Sequence, residues 1–279
     1  MKVIFTDLDG TLLDHNSYSF AAAKDALALV KATSVPLVLC SSKTRGELML
    51  YCNKLGMKLP FVSENGGGIY FPEGLLPSGL ESQFCFSSKK EGYLVMEMGK
   101  GRNKLLECFG KVKSKVGVEM RSFNDMMVNE VMELTSLPEN EAILAMDRSF
   151  TEPFLISSTD ENIISEIISK FNEMGLTVVK GGRFYHLMGD INKGKAVKKI
   201  INIFSVICGS EIISMGLGDS ENDLSMLRVV KKPVIIKKWD GSWMGAKGTE
   251  NFARTEGIGP AGWNDAVLAF LGEKVVSGS

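Results

Sequence analysis

Val3-Ile4-Phe5-Thr6-Asp7-Leu8-Asp9-Gly10-Thr11 is the stretch on which the fold turns. Residues 3–6 form an apolar run of the length of a buried strand. The run breaks into a polar loop that carries two carboxylates at i and i+2. Gly10 permits the turn that brings both to one ligand. One carboxylate can hold a metal and act as nucleophile, and the other can exchange a proton with a leaving group. Alone, the same stretch also reads as a capping Asp followed by an Asp-Gly turn.

Working outward, residues 21–32 have helical spacing. Residues 36–40 (P-L-V-L-C) form a second short apolar strand, which ends in Ser41-Ser42-Lys43-Thr44-Arg45. A helix over 46–55 and a strand over 60–63 follow. The alternation resumes late, with a helix over 193–206, a strand over 212–217, a helix over 221–227 and a strand over 233–236. A closing helix spans 263–271, after a loop-like Gly259-Pro260-Ala261-Gly262. Strands alternating with helices predict an α/β fold, a parallel sheet with helices on both faces. Ligands of such sheets sit at the carboxyl ends of the strands, where Asp7 and Ser41 fall.

Residues 83–187 break the alternation. Helices are expected over 102–116 and 161–174, and strands over 154–157, 176–179 and 184–187. The mixture predicts an α+β module inserted into the first domain. The expected division is a core of 1–82 and 188–279 and an inserted module of 83–187, moving about linkers near 77–79 and 189–192. The Met-rich stretch 120–132 has no assigned role beyond packing a helix or edging a cleft.

Gly218-Asp219-Ser220-Glu221-Asn222-Asp223 follows the strand over 212–217 and opens a helix. Asp219 and Asp223, four apart, can point the same way across one turn. With Asp7 they supply the acidic cluster that a hard cation requires. Ser41 offers a hydroxyl near backbone N–H groups. Lys193, at a helix start in Asn192-Lys193-Gly194-Lys195, can neutralise a phosphate as a point charge.

The 279 residues are 44% hydrophobic and 23% charged, an ordinary globular balance, and the formal net charge of −1 gives no basic field for nucleic acid. Cys40, Cys52, Cys85, Cys108 and Cys208 form no C-x-x-C pair. They are expected as small buried side chains in a reducing cytosol. No stretch reaches the roughly 18 apolar residues of a membrane span, so a cytoplasmic location and no membrane partner are expected.

The Asp7–Asp9, Ser41, Lys193 and Asp219–Asp223 blocks, in this order, resemble the haloacid dehalogenase superfamily of phosphohydrolases. The resemblance implies a Rossmann-like core with a C2-type cap and Mg²⁺ as cofactor. It makes Asp7 the nucleophile that forms an aspartyl-phosphate, and Asp9 the general acid and then base. Ser41 and Lys193 hold the phosphoryl group. Asp7, the Asp9 carbonyl and Asp219 hold Mg²⁺, Asp223 supports it through its waters, and Asn222 orients neighbouring groups.

Further stretches are similar to mannosyl-3-phosphoglycerate phosphatases: 41–45, Glu64-Asn65-Gly66-Gly67-Gly68-Ile69-Tyr70, 147–154, 181–186 and 259–263. This resemblance implies a small phosphorylated sugar bearing a carboxylate. Lys43, Arg45, Arg148 and Arg183 become its anion partners, and Glu64, Asn65 and Gly66 a loop close to its hydroxyls. His186 reads as a packed or cap-supporting histidine, and His15 as a loop residue without a chemical partner. Glucosyl-3-phosphoglycerate, sucrose phosphate and other hexose phosphates stay open as substrates. A sugar phosphomutase and a non-catalytic binding protein stay open as other classes.

Overall fold

The computed structural model describes residues 1–181 and 183–272. Gly182 of the 181–186 stretch and the end of the expected core, 273–279, lie outside them. Among the described residues the strands, in chain order, are β1 (Lys2–Thr6), β2 (Leu37–Cys40), β3 (Phe61–Ser63), β4 (Gly68–Pro72), β5 (Ser88–Lys90) and β6 (Tyr93–Glu97). They continue as β7 (Met120–Ser122), β8 (Thr151–Ile156), β9 (Thr177–Lys180), β10 (Tyr185–Met188), β11 (Ile213–Gly218), β12 (Lys232–Lys237) and β13 (Ala253–Ile258).

The expected α/β architecture is present. Nine strands form one sheet in the order β13-β12-β11-β1-β2-β3-β4-β6-β5. Pairing is parallel from β13 through β3 and antiparallel from β3 to β5. Both sides of the sheet are packed, as strands that are apolar on both faces require. On one side, Ala26 and Val30 of the helix Lys24–Thr33, Leu48 of Arg45–Leu55, and Trp263 and Phe270 of Gly259–Gly272 lie against alternate residues of β1, β2 and β3. On the other, Val197, Ile200 and Phe204 of Lys193–Cys208 pack on Val3, Phe5 and Val38.

The register positions the site. Thr6 of β1 lies opposite Leu217 of β11 and Leu39 of β2. The next residues of all three strands, which lead into Asp7, Asp219 and Ser41, therefore emerge along one edge.

A second sheet, β7-β8-β10-β9, is antiparallel throughout. Phe109, Phe154 and Phe171 fill its core, joined by the helices Arg102–Lys113 and Glu161–Glu173. Met120 and Met126 of the Met-rich stretch are buried in this unit, whereas Met127 is 74% exposed.

Several expectations change. Residues 88–97 lie within the range expected for the inserted module, yet β5 and β6 are hydrogen-bonded into the large sheet. The expected linker at 77–79 therefore precedes two strands of that sheet. Residues 259–262 belong to the last helix rather than to a loop. Gly259 enters it at φ +48°, and Pro260 suits a first turn because its missing N–H has no acceptor there. Cys85 is exposed and Cys208 only partly buried, against the expectation of burial, while Cys40, Cys52 and Cys108 are buried.

Candidate active site

Asp7 leaves β1 with its N–H donating to the Leu217 carbonyl at 2.9 Å. Trp263 donates from Nε1 to Thr6 Oγ1 at 2.9 Å, and that hydroxyl donates to the Asp7 carbonyl at 2.7 Å. The backbone under Asp7 is thus tied to the last helix. Gly10 turns at φ +75°, and a Cβ there would stand 2.8 Å from Asp219 Oδ2. Only glycine lets the two loops approach this closely.

Lys193 is the first residue of its helix, N-capped by the Asn192 side chain, which accepts from the Lys195 N–H. Gly194 lets this helix press on the Ser225 backbone, where a Cβ would meet Ser225 O at 2.1 Å. The approach delivers Lys193 Nζ, fully buried, to 2.6 Å from Asp7 Oδ1 and 2.6 Å from Asp223 Oδ1. Burial opposes the ammonium, but Asp223 and Asp7 outweigh it and raise its pKa. Asp223 Oδ2 accepts from the Asp219 and Ser220 N–H groups, each at 3.1 Å, and from Ser220 Oγ.

Carboxylate oxygens of Asp7, Asp219 and Asp223 lie within 4.8 Å of one another, a group that could hold a metal ion. Three hard oxygen donors, with a glycine clearing the space beside one of them, fit a hard divalent cation. Burial, and next Asp223, push Asp7 well above the usual carboxylate range, against the pull of Lys193. Burial and Asp223 likewise raise Asp219 to about 6, opposed by Lys193 and Lys238.

Asp9 turns to the other side. Its Oδ2 is 3.1 Å from Lys43 Nζ, which also approaches Glu47 at 3.7 Å. Asp9 Oδ1 and Thr11 Oγ1 are buried with no hydrogen-bond partner among the described residues. Orphaned polar atoms of this kind cost about 1–3 kcal/mol each unless a ligand satisfies them. Ser41 is buried and accepts the Lys43 N–H at 3.2 Å. Thr44 caps the helix Arg45–Leu55 in a reciprocal box with Glu47, which fixes the loop carrying Ser41 and Lys43.

The residues expected on the substrate divide. Asn65 is buried and accepts from Asn222 Nδ2 at 3.3 Å, which joins the Glu64 loop to the Asp219 loop. A Cβ on Gly66, at φ +109°, would stand 2.4 Å from the Asn192 carbonyl, so this loop also abuts the turn before Lys193. Arg45 is spent on Glu91 at 2.8 Å. Glu64 is spent on four donors of residues 149–151. Arg148 donates to the Ala145 and Ser42 carbonyls and to Thr151 Oγ1. Arg183 is exposed, with no ion-pair partner among the described residues. The imidazole of His186 is held neutral, near pKa 3, by burial and then by the charge of Arg148. His15 stacks on Trp239 with ring centroids 5.3 Å apart.

Trp263, Thr6 and Glu47 also support the site: Thr6 and Trp263 fall within stretches quoted above but carry no expected role there, and Glu47 was not singled out. Glu47 could have been found as the N3 partner of Thr44 in T-x-x-E. The Trp263 indole carries no local signal, since Thr6 is 257 residues away. Among the described residues no helix is long and apolar enough to cross a membrane.

Residues 4–239 match the family of haloacid dehalogenase-like hydrolases. A protein of Methanococcoides burtonii named glucosyl-3-phosphoglycerate/mannosyl-3-phosphoglycerate phosphatase is 38% identical over 271 residues, 97% of either chain. A protein of the same name from Persephonella marina is 36% identical over 272 residues, again 97% of each. Among solved structures, Thermoplasma acidophilum 0175 superposes with a TM-score of 0.65 at 18% identity, covering 97% of this chain and 98% of its own.

Proposed function

The chain belongs to the haloacid dehalogenase-like hydrolases, and from that membership we propose a Mg²⁺-dependent phosphomonoesterase that works through an aspartyl-phosphate on Asp7. Its substrates are mannosyl-3-phosphoglycerate and glucosyl-3-phosphoglycerate, the pair in the names of its relatives. The observation that carries the reading is the buried Lys193 ammonium held between Asp7 and Asp223.

An Asp7 oxygen attacks phosphorus, and the bond to the glyceryl oxygen breaks. Asp9 gives that oxygen its proton, and free glycosylglycerate leaves. Asp9 then takes a proton from water as the water oxygen attacks phosphorus, which releases inorganic phosphate and restores the Asp7 carboxylate. Lys193 and the Ser41 hydroxyl hold the phosphoryl oxygens through both steps. Asp7, Asp219 and the Asp9 carbonyl would hold Mg²⁺, with Asp223 behind them. Mg²⁺ supplies charge neutralisation for the phosphoryl group when bound.

We place the cap between Gly99 and Gly189, where the chain leaves β6 for the smaller sheet and returns from β10. It supplies Arg148 and Arg183 to the glyceryl and sugar side of the substrate. Three buried free thiols suit a reducing cytosol. Phosphate release across a panel of sugar phosphates, with and without Mg²⁺, tests the proposal. A preference for either glycosyl-3-phosphoglycerate that vanishes with EDTA is expected. A preference for a simple hexose phosphate would contradict the substrate.

A further inference from the structure

Glu64 lies on the loop between β3 and β4, 1% exposed, at φ +49°, and its neighbour Asn65 is at φ +58°. Residues with side chains hold that backbone only where their surroundings over-determine it. The backbone is held by the core, where the Glu64 and Asn65 N–H groups donate to the Lys43 and Ser41 carbonyls at 2.9 Å each, and the Glu64 side chain is held by residues at and just before β8. Oε1 accepts the Ser149 N–H at 2.9 Å. Oε2 accepts the Phe150 N–H at 3.0 Å, the Thr151 N–H at 2.8 Å and the Thr151 hydroxyl at 2.7 Å. Phe150 sits on a glycine floor: a Cβ on Gly67, Gly68 or Gly99 would come within 2.4, 2.9 and 2.9 Å of it.

Arg148 is built into the same joint. Its Nη1 donates to Thr151 Oγ1 at 2.7 Å and to the Ser42 carbonyl at 3.2 Å, and lies 4.0 Å from Glu64 Oε2. The hydrogen bonds of the guanidinium leave from Nε and Nη1; Nη2 makes none among the described residues and is not sealed from solvent, on a side chain 7% exposed. A buried guanidinium that is balanced on one edge and open on the other is prepared for a second anion.

We propose that Glu64 is a positioning residue, fastening residues 149–151 to the core so that Arg148 is held beside the Ser41 loop with Nη2 presented to the carboxylate of the substrate. The inference rests on the proposed glyceryl substrate. It removes Glu64 from direct contact with sugar and makes it act on substrate binding through Arg148. Gln matches Glu in volume, but both carboxylate oxygens already accept from N–H donors. One edge of Gln must therefore set an NH₂ group against a donor.

The test uses the full chain with Glu64→Gln, Arg148→Ala and the double variant, assayed on mannosyl-3-phosphoglycerate and on mannose 6-phosphate, which lacks the carboxylate. Amide exchange at Phe150 and Thr151 is measured in parallel. The expected result for Glu64→Gln is faster exchange at both amides and a KM for mannosyl-3-phosphoglycerate raised about tenfold to a hundredfold, the span for losing charge-assisted hydrogen bonds. The loss on mannose 6-phosphate is smaller, and the double variant is no worse than Arg148→Ala. Additive losses in the double variant, or unchanged exchange and KM, would overturn the assignment. If Glu64→Gln does not fold, Glu64→Asp, one methylene short of the donors, is read by the same criteria. A wild type that prefers mannose 6-phosphate would sink the substrate alone. Exchange at Phe150 and Thr151 still decides the role of Glu64, faster supporting it and unchanged overturning it.

Discussion

The Lys193 ammonium stands 2.6 Å from the Asp7 carboxylate at a point with no solvent exposure. A carboxylate this deep would ordinarily hold its proton, and burial does raise Asp7 well above its usual range. Lys193 is the cation that opposes this rise, and it does the same for Asp219.

Lys193→Met keeps the apolar stem and removes the charge. Asp7 and Asp223 then face each other without their shared cation, so the protonated form of Asp7 gains and, in the proposed mechanism, the phosphoryl group loses a counter-charge. A fall in kcat of about 10²–10³-fold is expected, the usual size for losing one preorganised electrostatic contact. Steady-state kinetics with saturating Mg²⁺ check this, and a change confined to KM would count against the placement.

At the proposed metal site Asp219 should impose a pH dependence on metal binding. Its pKa is raised from 3.8 to about 6, so the folded, metal-free protein favours the protonated form. That contribution to metal-free stability is complete below the ordinary carboxylate value and is lost as pH rises through about 6. A divalent cation needs the ionised form, so the increment in thermal midpoint on adding Mg²⁺ should grow from about pH 5 to pH 7. Differential scanning fluorimetry measures it. Asp219→Asn should reduce the growth, leaving the part due to Asp7, whose pKa is also raised, and an increment flat with pH in the parent would contradict this.

Gly10→Ala combines two faults. The backbone at φ +75° is strained for any L side chain, and the new methyl would meet Asp219 Oδ2 at 2.8 Å. A stability loss of ~1–2 kcal/mol is expected from the backbone alone. Weaker Mg²⁺ dependence of activity should follow from displacing Asp219. Urea unfolding and a Mg²⁺ titration report the two effects separately.

In the proposed mechanism Asp9 protonates the leaving oxygen, and Asp9→Asn removes that group. An alkyl leaving group, such as a glyceryl oxygen, needs that proton more than an activated phenolate does. General acid catalysis is worth ~10²–10⁴-fold, so the loss should fall in that range for a glycosyl phosphoglycerate and be visibly smaller for an aryl phosphate. Equal losses on both would remove Asp9 from this role and leave its contact with Lys43 as purely structural.

The residues legible in the sequence sit where local signals are strong. Asp7, Ser41 and Asp219 each follow a short apolar run, and Lys193 follows the N-cap Asn192. Such signals span a few residues, and the parallel register then carries three of those strand ends to one edge. What stayed hidden depends on contacts between distant segments. Glu64 reads as a loop acid until Ser149, Phe150 and Thr151, 85 to 87 residues on, claim its oxygens. Strands β5 and β6 read as part of the inserted module because only pairing with β4 assigns them to the large sheet. Gly259 and Gly262 read as loop because helix propensity counts against them, while close packing of Gly262 on Gly257 favours them in place.

The most direct test of the central claim is a phosphoryl label on Asp7. In the proposed mechanism Asp9→Asn leaves no base to activate water, so the second half of the reaction should slow. A single turnover with a radiolabelled aryl phosphate, whose leaving group needs little help from an acid, quenched in acid, should leave label on the protein that hydroxylamine releases and that maps to Asp7. Release of phosphate in that turnover with no label on the chain would contradict an aspartyl-phosphate at Asp7.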